Sequence, residues 1–131
     1  MTNKKKETKK KSPLVNRQQG KVYVSASFNN TIVTVTDNEG NVLGWGSSGN
    51  AGFKGTRKST PFAATTAVEK VLKKVKETNE LSEVEIYVKG PGPGRDAALR
   101  AVRAAGVKIA LIADITPIPH NGPRPKKKRR A

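Results

Sequence analysis

At 131 residues, 34% of them hydrophobic and 5% aromatic, the chain fits one domain with a small core. No apolar run approaches the roughly 18 residues of a membrane span, no apolar stretch follows the lysine-rich start as in a secretory signal, and the absence of cysteine removes disulfides and thiolate chemistry. Charge is the strongest global signal, with 26 Lys and Arg against 10 Asp and Glu, net +16, and it points to a polyanionic partner.

Residues Met1–Gln19 carry seven cations and one acid, net +6, and are read as a basic tail with little to bury. Lys21–Phe28 then alternates, with Val22, Val24, Ala26 and Phe28 on one face and Tyr23, Ser25 and Ser27 on the other, the pattern of a half-buried strand. Asn29-Asn30 is expected to turn, because asparagine tolerates positive φ. Thr31–Thr36 should return antiparallel, Asp37–Gly40 turn again, and Asn41–Gly46 complete a meander.

Gly46–Lys58 reads as a glycine- and lysine-rich loop with only Phe53 to bury. Thr60-Pro61 opens a helix, hydroxyl as N-cap and proline at the first helical position. Ala64, Val68, Val71, Leu72 and Val75 share one face of it, and Lys70, Lys73, Lys74 and Lys76 take exposed positions, where a solvated face is the simpler explanation. Val84–Lys89 alternates as a strand, Gly90-Pro91-Gly92-Pro93-Gly94 ends it, and Arg95–Ala105 is an alanine-rich helix closed by Gly106. Val107–Ile115 is nearly continuous apolar, as for a strand covered on both faces. The fold class is therefore α/β, a mixed five-stranded sheet with flanking helices and a right-handed βαβ unit at its end.

Pro119–Ala131 adds six cations and no acid, so the middle ninety-nine residues keep only 16 − 12 = +4. The chain divides into a basic tail at 1–19, an α/β domain at 20–118 and a second basic tail at 119–131. Tails of this kind repel themselves, and a polyanion that neutralises them releases its own counterions.

Gly44-Trp45-Gly46-Ser47-Ser48-Gly49 matches a dinucleotide-binding pattern only formally, since no helix starts inside it. Gly90–Arg95 leads straight into a helix and reads equally well as a phosphate cradle or as a tight strand-to-helix turn. Carboxylates are scattered, with Asp37 and Asp114 as isolated strand-end acids, and His120 is the single histidine. That composition argues against an enzyme and against a metal or other cofactor. An RNA-binding component of a ribonucleoprotein particle is the leading reading. A DNA-compacting protein and a degenerate nuclease are the alternatives, separable by an RNA-versus-duplex-DNA competition in a salt titration and by a metal-dependent nuclease assay.

Four motifs then carry a resemblance: SFNNTIVTVTD (Ser27–Asp37), GFKGTRKSTPFAA (Gly52–Ala64), KGPGPGRDAALRA (Lys89–Ala101) and DITPIPHNGPRPKKKRR (Asp114–Arg130). In this order they resemble the universal small-subunit ribosomal protein eleven family, in its bacterial or organellar form, over nearly everything from Lys21 on. The resemblance implies a ribonuclease-H-like topology without nuclease carboxylates. It also implies a structural place on the platform of the small subunit, in the cytoplasm or an organelle, bridging ribosomal RNA helices beside the messenger RNA in the Shine-Dalgarno cleft. Small-subunit proteins seven and eighteen would be neighbours, initiation factor three would bind nearby, and no membrane is implied.

RNA contacts are expected from Asn29 and Asn30 at the hairpin tip, from Lys54, Gly55, Arg57 and Lys58 in the loop, and from Gly92, Gly94 and Arg95 at the Gly-Pro turn. The C-terminal tail adds His120, Asn121, Arg124, Lys126, Lys127, Lys128, Arg129 and Arg130. No aromatic platform for unpaired bases is visible in the sequence, so phosphate and shape recognition should dominate. Asn121-Gly122 is a candidate for isoaspartate formation, because glycine leaves its backbone nitrogen unhindered.

Overall fold

The alternation after the first tail becomes strand β1 (Gln19–Ala26), whose Val22, Val24 and Ala26 are buried while Tyr23 and Ser25 are half-buried on the other face. This is a computed structural model describing residues 19–79, 81–128 and 130. The basic segment 1–18 and Arg129 lie outside the described residues. β1 pairs antiparallel with β2 (Thr31–Asp37), and β2 with β3 (Val42–Ser47). On its other side β1 runs parallel to β4 (Glu83–Lys89), and β4 parallel to β5 (Lys108–Asp114). The order β3-β2-β1-β4-β5 is the mixed five-stranded, ribonuclease-H-like sheet that was expected.

Helix α1 (Pro61–Asn79) starts as its sequence dictates: the Thr60 hydroxyl oxygen accepts the Ala63 N–H at 3.2 Å, and Pro61 occupies the first turn. Its buried Val68, Val71, Leu72 and Val75 lie on one face of the sheet with Val33, Val35, Val84 and Ile86. Two glycines make that approach close. A Cβ on Gly44 would stand 2.8 Å from Val75 Cγ2 and one on Gly46 2.5 Å from Val71 Cγ2. Gly44 and Gly46 of the Gly44–Gly49 run therefore serve helix-on-sheet packing within β3, and no helix begins in the run. Helix α2 (Gly94–Ala104) packs on α1 with Ala97, Ala98, Ala101 and Val102 buried, and Gly106 leaves it at φ 85°. Exposed Lys76 donates to Ala105 O at 2.6 Å, tying the two helix ends together.

Two expectations change. The β1 alternation stops at Ala26, the last ladder residue, opposite Thr31, and the Ser27 N–H bond to Asn30 O at 2.9 Å closes the turn. The turn corners are then Phe28 and Asn29, one residue earlier than Asn29-Asn30, and Phe28 is 70% exposed instead of facing the core. Side chains fix that register. Ser27 Oγ accepts the N–H of Asn29 (3.3 Å) and of Asn30 (3.1 Å), and Asn30 Oδ1 accepts the Thr31 N–H at 2.8 Å. No positive φ is needed at the tip; among the described non-glycine residues only Asn121 has one, 59°.

The second change concerns β5. It is an edge strand, and Leu111 and Ile112 are exposed instead of covered on both faces. α2 leans on α1 and β1, and the sheet gains no sixth strand, so an apolar run that looks central ends up at the rim.

Candidate nucleic-acid interface

Strand directions decide where the expected contacts lie. β1, β3, β4 and β5 all end at one edge of the sheet, and β2 begins there. The β1–β2 tip, the segment from Ser48 to Thr60, the Gly-Pro turn and the start of the C-terminal tail therefore share this end. Backbone bonds join them: Ser48 N–H to Thr31 O at 3.0 Å, Gly92 N–H to Ala26 O at 2.7 Å, and Ile115 N–H to Val88 O at 2.8 Å. At the opposite end lie the β2–β3 turn, with Asp37 and Glu39, and the start of β4, with Glu83. The expected contact segments thus gather at one end, together with Asp96 and Asp114, while Asp37, Glu39 and Glu83 lie toward the other with Lys21 and Lys108.

The loop carries Lys54, Gly55 and Arg57 exposed and Lys58 half-buried. A 3₁₀ turn, Gly55–Ser59, organises it, with Gly55 at φ 61° where a side chain would be strained. Phe53 meets Phe62 edge-to-face at 5.8 Å between ring centres, fastening the loop to the first turn of α1. The cations are thereby held on a short scaffold.

The Gly-Pro turn is different. Gly92 and Gly94 are buried, and the Gly92 N–H is already taken by Ala26 O. A Cβ on Gly92 would lie 2.1 Å from Ser27 O, and one on Gly94 2.2 Å from Thr31 Oγ1. These glycines let the turn press against the β1–β2 hairpin, and their geometry favours packing over a phosphate cradle. Arg95 is also engaged: Nη1 donates to Gly90 O and Nη2 to Asp114 Oδ2, both at 2.9 Å. Asp114 Oδ1 accepts the Thr116 hydroxyl at 2.6 Å and the Thr116 N–H at 3.0 Å, and the Gly90 N–H donates to Thr116 Oγ1 at 3.1 Å. This network locks the end of β5 to the turn where the tail departs.

The Thr116 hydroxyl, then the Arg95 guanidinium, hold the Asp114 carboxyl well below the usual carboxylate range. Because the folded-state pKa is depressed, the stabilisation is present above the ordinary aspartate value, about 4, and fades as pH falls through the folded value. The unfolding temperature of Asp114→Asn should therefore lie below that of the parent at neutral pH, with the gap closing under acid. A thermal-melt series between about pH 7 and pH 2 checks this; a gap that is constant with pH contradicts it.

From Ile115 onward the described chain has no helix or strand, and His120, Asn121, Arg124, Lys126, Lys127, Lys128 and Arg130 are all exposed. Two exposed aromatics at this end were not read from the sequence: Phe28 on the tip and Phe62 in the first turn of α1, each 70% exposed. On the sheet face away from α1, Tyr23 and Tyr87 stack at 5.3 Å, and Trp45 lies in the same cross-strand row. Alternation placed Tyr23 opposite the valines, but only the parallel β1–β4 pairing brings Tyr87 beside it.

Asp37 and Asp114 stand at opposite ends of the sheet and cannot share a metal ion. Among the described residues no group of three or more His, Asp or Glu side chains could hold one, and no helix is long and apolar enough to cross a membrane. The loop cations Lys54, Arg57 and Lys58 and the root of the cationic tail thus lie at the same end of an α/β sheet. The model of the family described as Ribosomal protein S11 matches residues 20–130. The small ribosomal subunit protein uS11 of Nitratidesulfovibrio vulgaris (strain DSM 19637 / Miyazaki F) is 58% identical over 125 residues, 95% of this chain and 96% of the relative. That of Desulfovibrio desulfuricans (strain ATCC 27774 / DSM 6949 / MB) is 56% identical over 126 residues, 96% of this chain and 93% of the relative. The chain belongs to the ribosomal protein S11 family of structural, non-enzymatic proteins.

Proposed function

We propose that this protein is a structural constituent of the small ribosomal subunit and holds ribosomal RNA with the basic end of its sheet. The observation that carries this reading is the convergence there of the Lys54–Lys58 loop, the hairpin tip and the root of the six-cation tail. In this account residues 20–118 are the RNA-binding domain, and 1–19 and 119–131 are basic extensions. Lys54, Arg57, Lys58 and the tail cations bind phosphates, and Asn29 and the exposed part of Asn30 add polar contacts at the tip. Arg95, Gly92 and Gly94 serve the surface indirectly, by fixing the hairpin and the tail root.

Contacts on loop, tip and tail suit a protein that bridges separate RNA helices. In this reading, which the family resemblance supports, such a bridge lies on the platform, beside the Shine-Dalgarno cleft and its messenger RNA, with proteins seven and eighteen as neighbours and initiation factor three nearby. Replacing Lys54, Arg57 and Lys58 together by glutamine tests the loop. If all three touch phosphate, the slope of log K against log salt should flatten by about 2–3 units, with the melting temperature nearly unchanged. Unaltered RNA affinity, or a collapse of the fold, would remove the loop from the interface.

A further inference from the structure

Phe28 sits at a corner of the β1–β2 turn, where glycine, proline, asparagine, aspartate and serine are the residues with a physical reason to be. The turn does not need it. Ser27 Oγ and Asn30 Oδ1 make the side-chain hydrogen bonds that fix the hairpin, and the ring is left 70% exposed. A local rule broken without gain to the fold marks a position kept for contact with something else.

The surroundings say what. A single exposed phenylalanine is ordinary on any surface, but Phe62 stands at the same end, also 70% exposed. It is steadied edge-to-face by Phe53, next to the Lys54–Lys58 loop. The hairpin base and the first turn of α1 adjoin, since a Cβ on Gly94 would reach both Thr31 Oγ1 (2.2 Å) and Ala64 Cβ (2.9 Å). Two exposed rings, one on a hydrogen-bonded turn and one in the first turn of a helix, at the end of the sheet that carries the Lys54–Lys58 loop, match single-stranded RNA, whose bases stack on aromatics while its phosphates pair with lysine and arginine.

We infer that Phe28 and Phe62 are base-contact residues, stacking on unpaired nucleobases of an RNA loop or bulge held at the basic end of the sheet. A fully paired helix offers these rings no free base face. The inference thus adds a preference for unpaired RNA that the cations cannot supply. It rests on the RNA-binding reading above, and the two can fail separately.

The test compares the full chain with Phe28→Ala, Phe62→Ala and Phe28→Trp. The probes are a small-subunit ribosomal RNA fragment containing internal loops and a fully paired RNA duplex of equal length. Each alanine variant should lose about tenfold in affinity for the looped fragment, within the range of one base–aromatic stack. For Phe28→Ala the affinity for the duplex, the salt slope and the melting temperature should stay close to those of the parent, and Phe28→Trp should retain binding. Phe62→Ala also removes the Phe53 contact that fastens the loop, so its readout is the ratio of looped to duplex affinity, which should fall. Equal losses on both RNAs, or no loss in either alanine variant, would overturn the inference. So would normal RNA binding by Phe28→Ala combined with failure to enter small subunits, which would assign the ring to a protein neighbour. A parent chain that bound neither RNA with a steep salt slope would instead sink the phosphate-binding reading itself.

Discussion

Deletion of residues 119–131 should produce the largest change in RNA binding of any alteration to the described chain. The segment contributes six of the 26 cations and no acid. It leaves the sheet at the Asp114–Thr116–Arg95 network, and its described part is exposed throughout. Each cation that neutralises a phosphate contributes about 0.7–0.9 to the slope of log K against log salt, so losing six contacts should flatten it by about 4–5 units. The fold should survive, since among the described residues the last to pack against the core is Ile109, ten positions before the deletion begins. In the free protein the segment's amides should exchange rapidly, and slow only when RNA is bound. An unchanged slope would make the tail a solubilising appendage.

The second large effect concerns stability. Gly94→Ala places a methyl group 2.2 Å from Thr31 Oγ1 and 2.9 Å from Ala64 Cβ, and Gly92→Ala places one 2.1 Å from the Ser27 carbonyl oxygen. Neither Thr31 nor the hairpin backbone can easily step aside, because Thr31 is buried and paired with Ala26 in the ladder, and the Ser27 main chain is held by its N–H bond to Asn30 O at 2.9 Å. Overpacking typically costs ~1–3 kcal/mol, and a clash with backbone belongs at the top of that range or above. For a domain near a hundred residues the melting temperature should fall by ~10 °C or more. RNA affinity measured on the folded population at low temperature should change little if these glycines act only through packing. A loss of affinity at intact stability would return the turn to the list of direct phosphate contacts.

The sheet, both helices and most boundaries were legible because alternation at Val22–Ala26 and Val84–Lys89, and the Thr60-Pro61 cap, are local signals with one physical reading. What failed needed partners remote in sequence. Val107–Ile115 is apolar enough for a central strand, and nothing local reveals that the sheet ends there. Phe28 continued an alternation that the Ser27 and Asn30 hydrogen bonds interrupt. At the candidate site, Lys54, Arg57 and the tail were readable from charge alone. Gly92 and Gly94 were ambiguous because a phosphate cradle and a close-packed turn call for the same residues; only the nearby Ser27 carbonyl and Thr31 hydroxyl separate the two. Arg95 was identifiable as a cation but not as one already paired with Asp114.

Whether one end of the sheet faces ribosomal RNA is read by ultraviolet cross-linking in assembled small subunits, with adducts mapped to residues by mass spectrometry. RNA adducts should fall at Phe28–Asn30, within Phe53–Phe62 and along the tail beyond Pro119, with few or none at the Asp37–Asn41 turn and the start of β4. Adducts concentrated at Asp37–Asn41 and Glu83–Glu85, with the Lys54–Lys58 loop and the tail unmodified, would contradict this placement of the RNA.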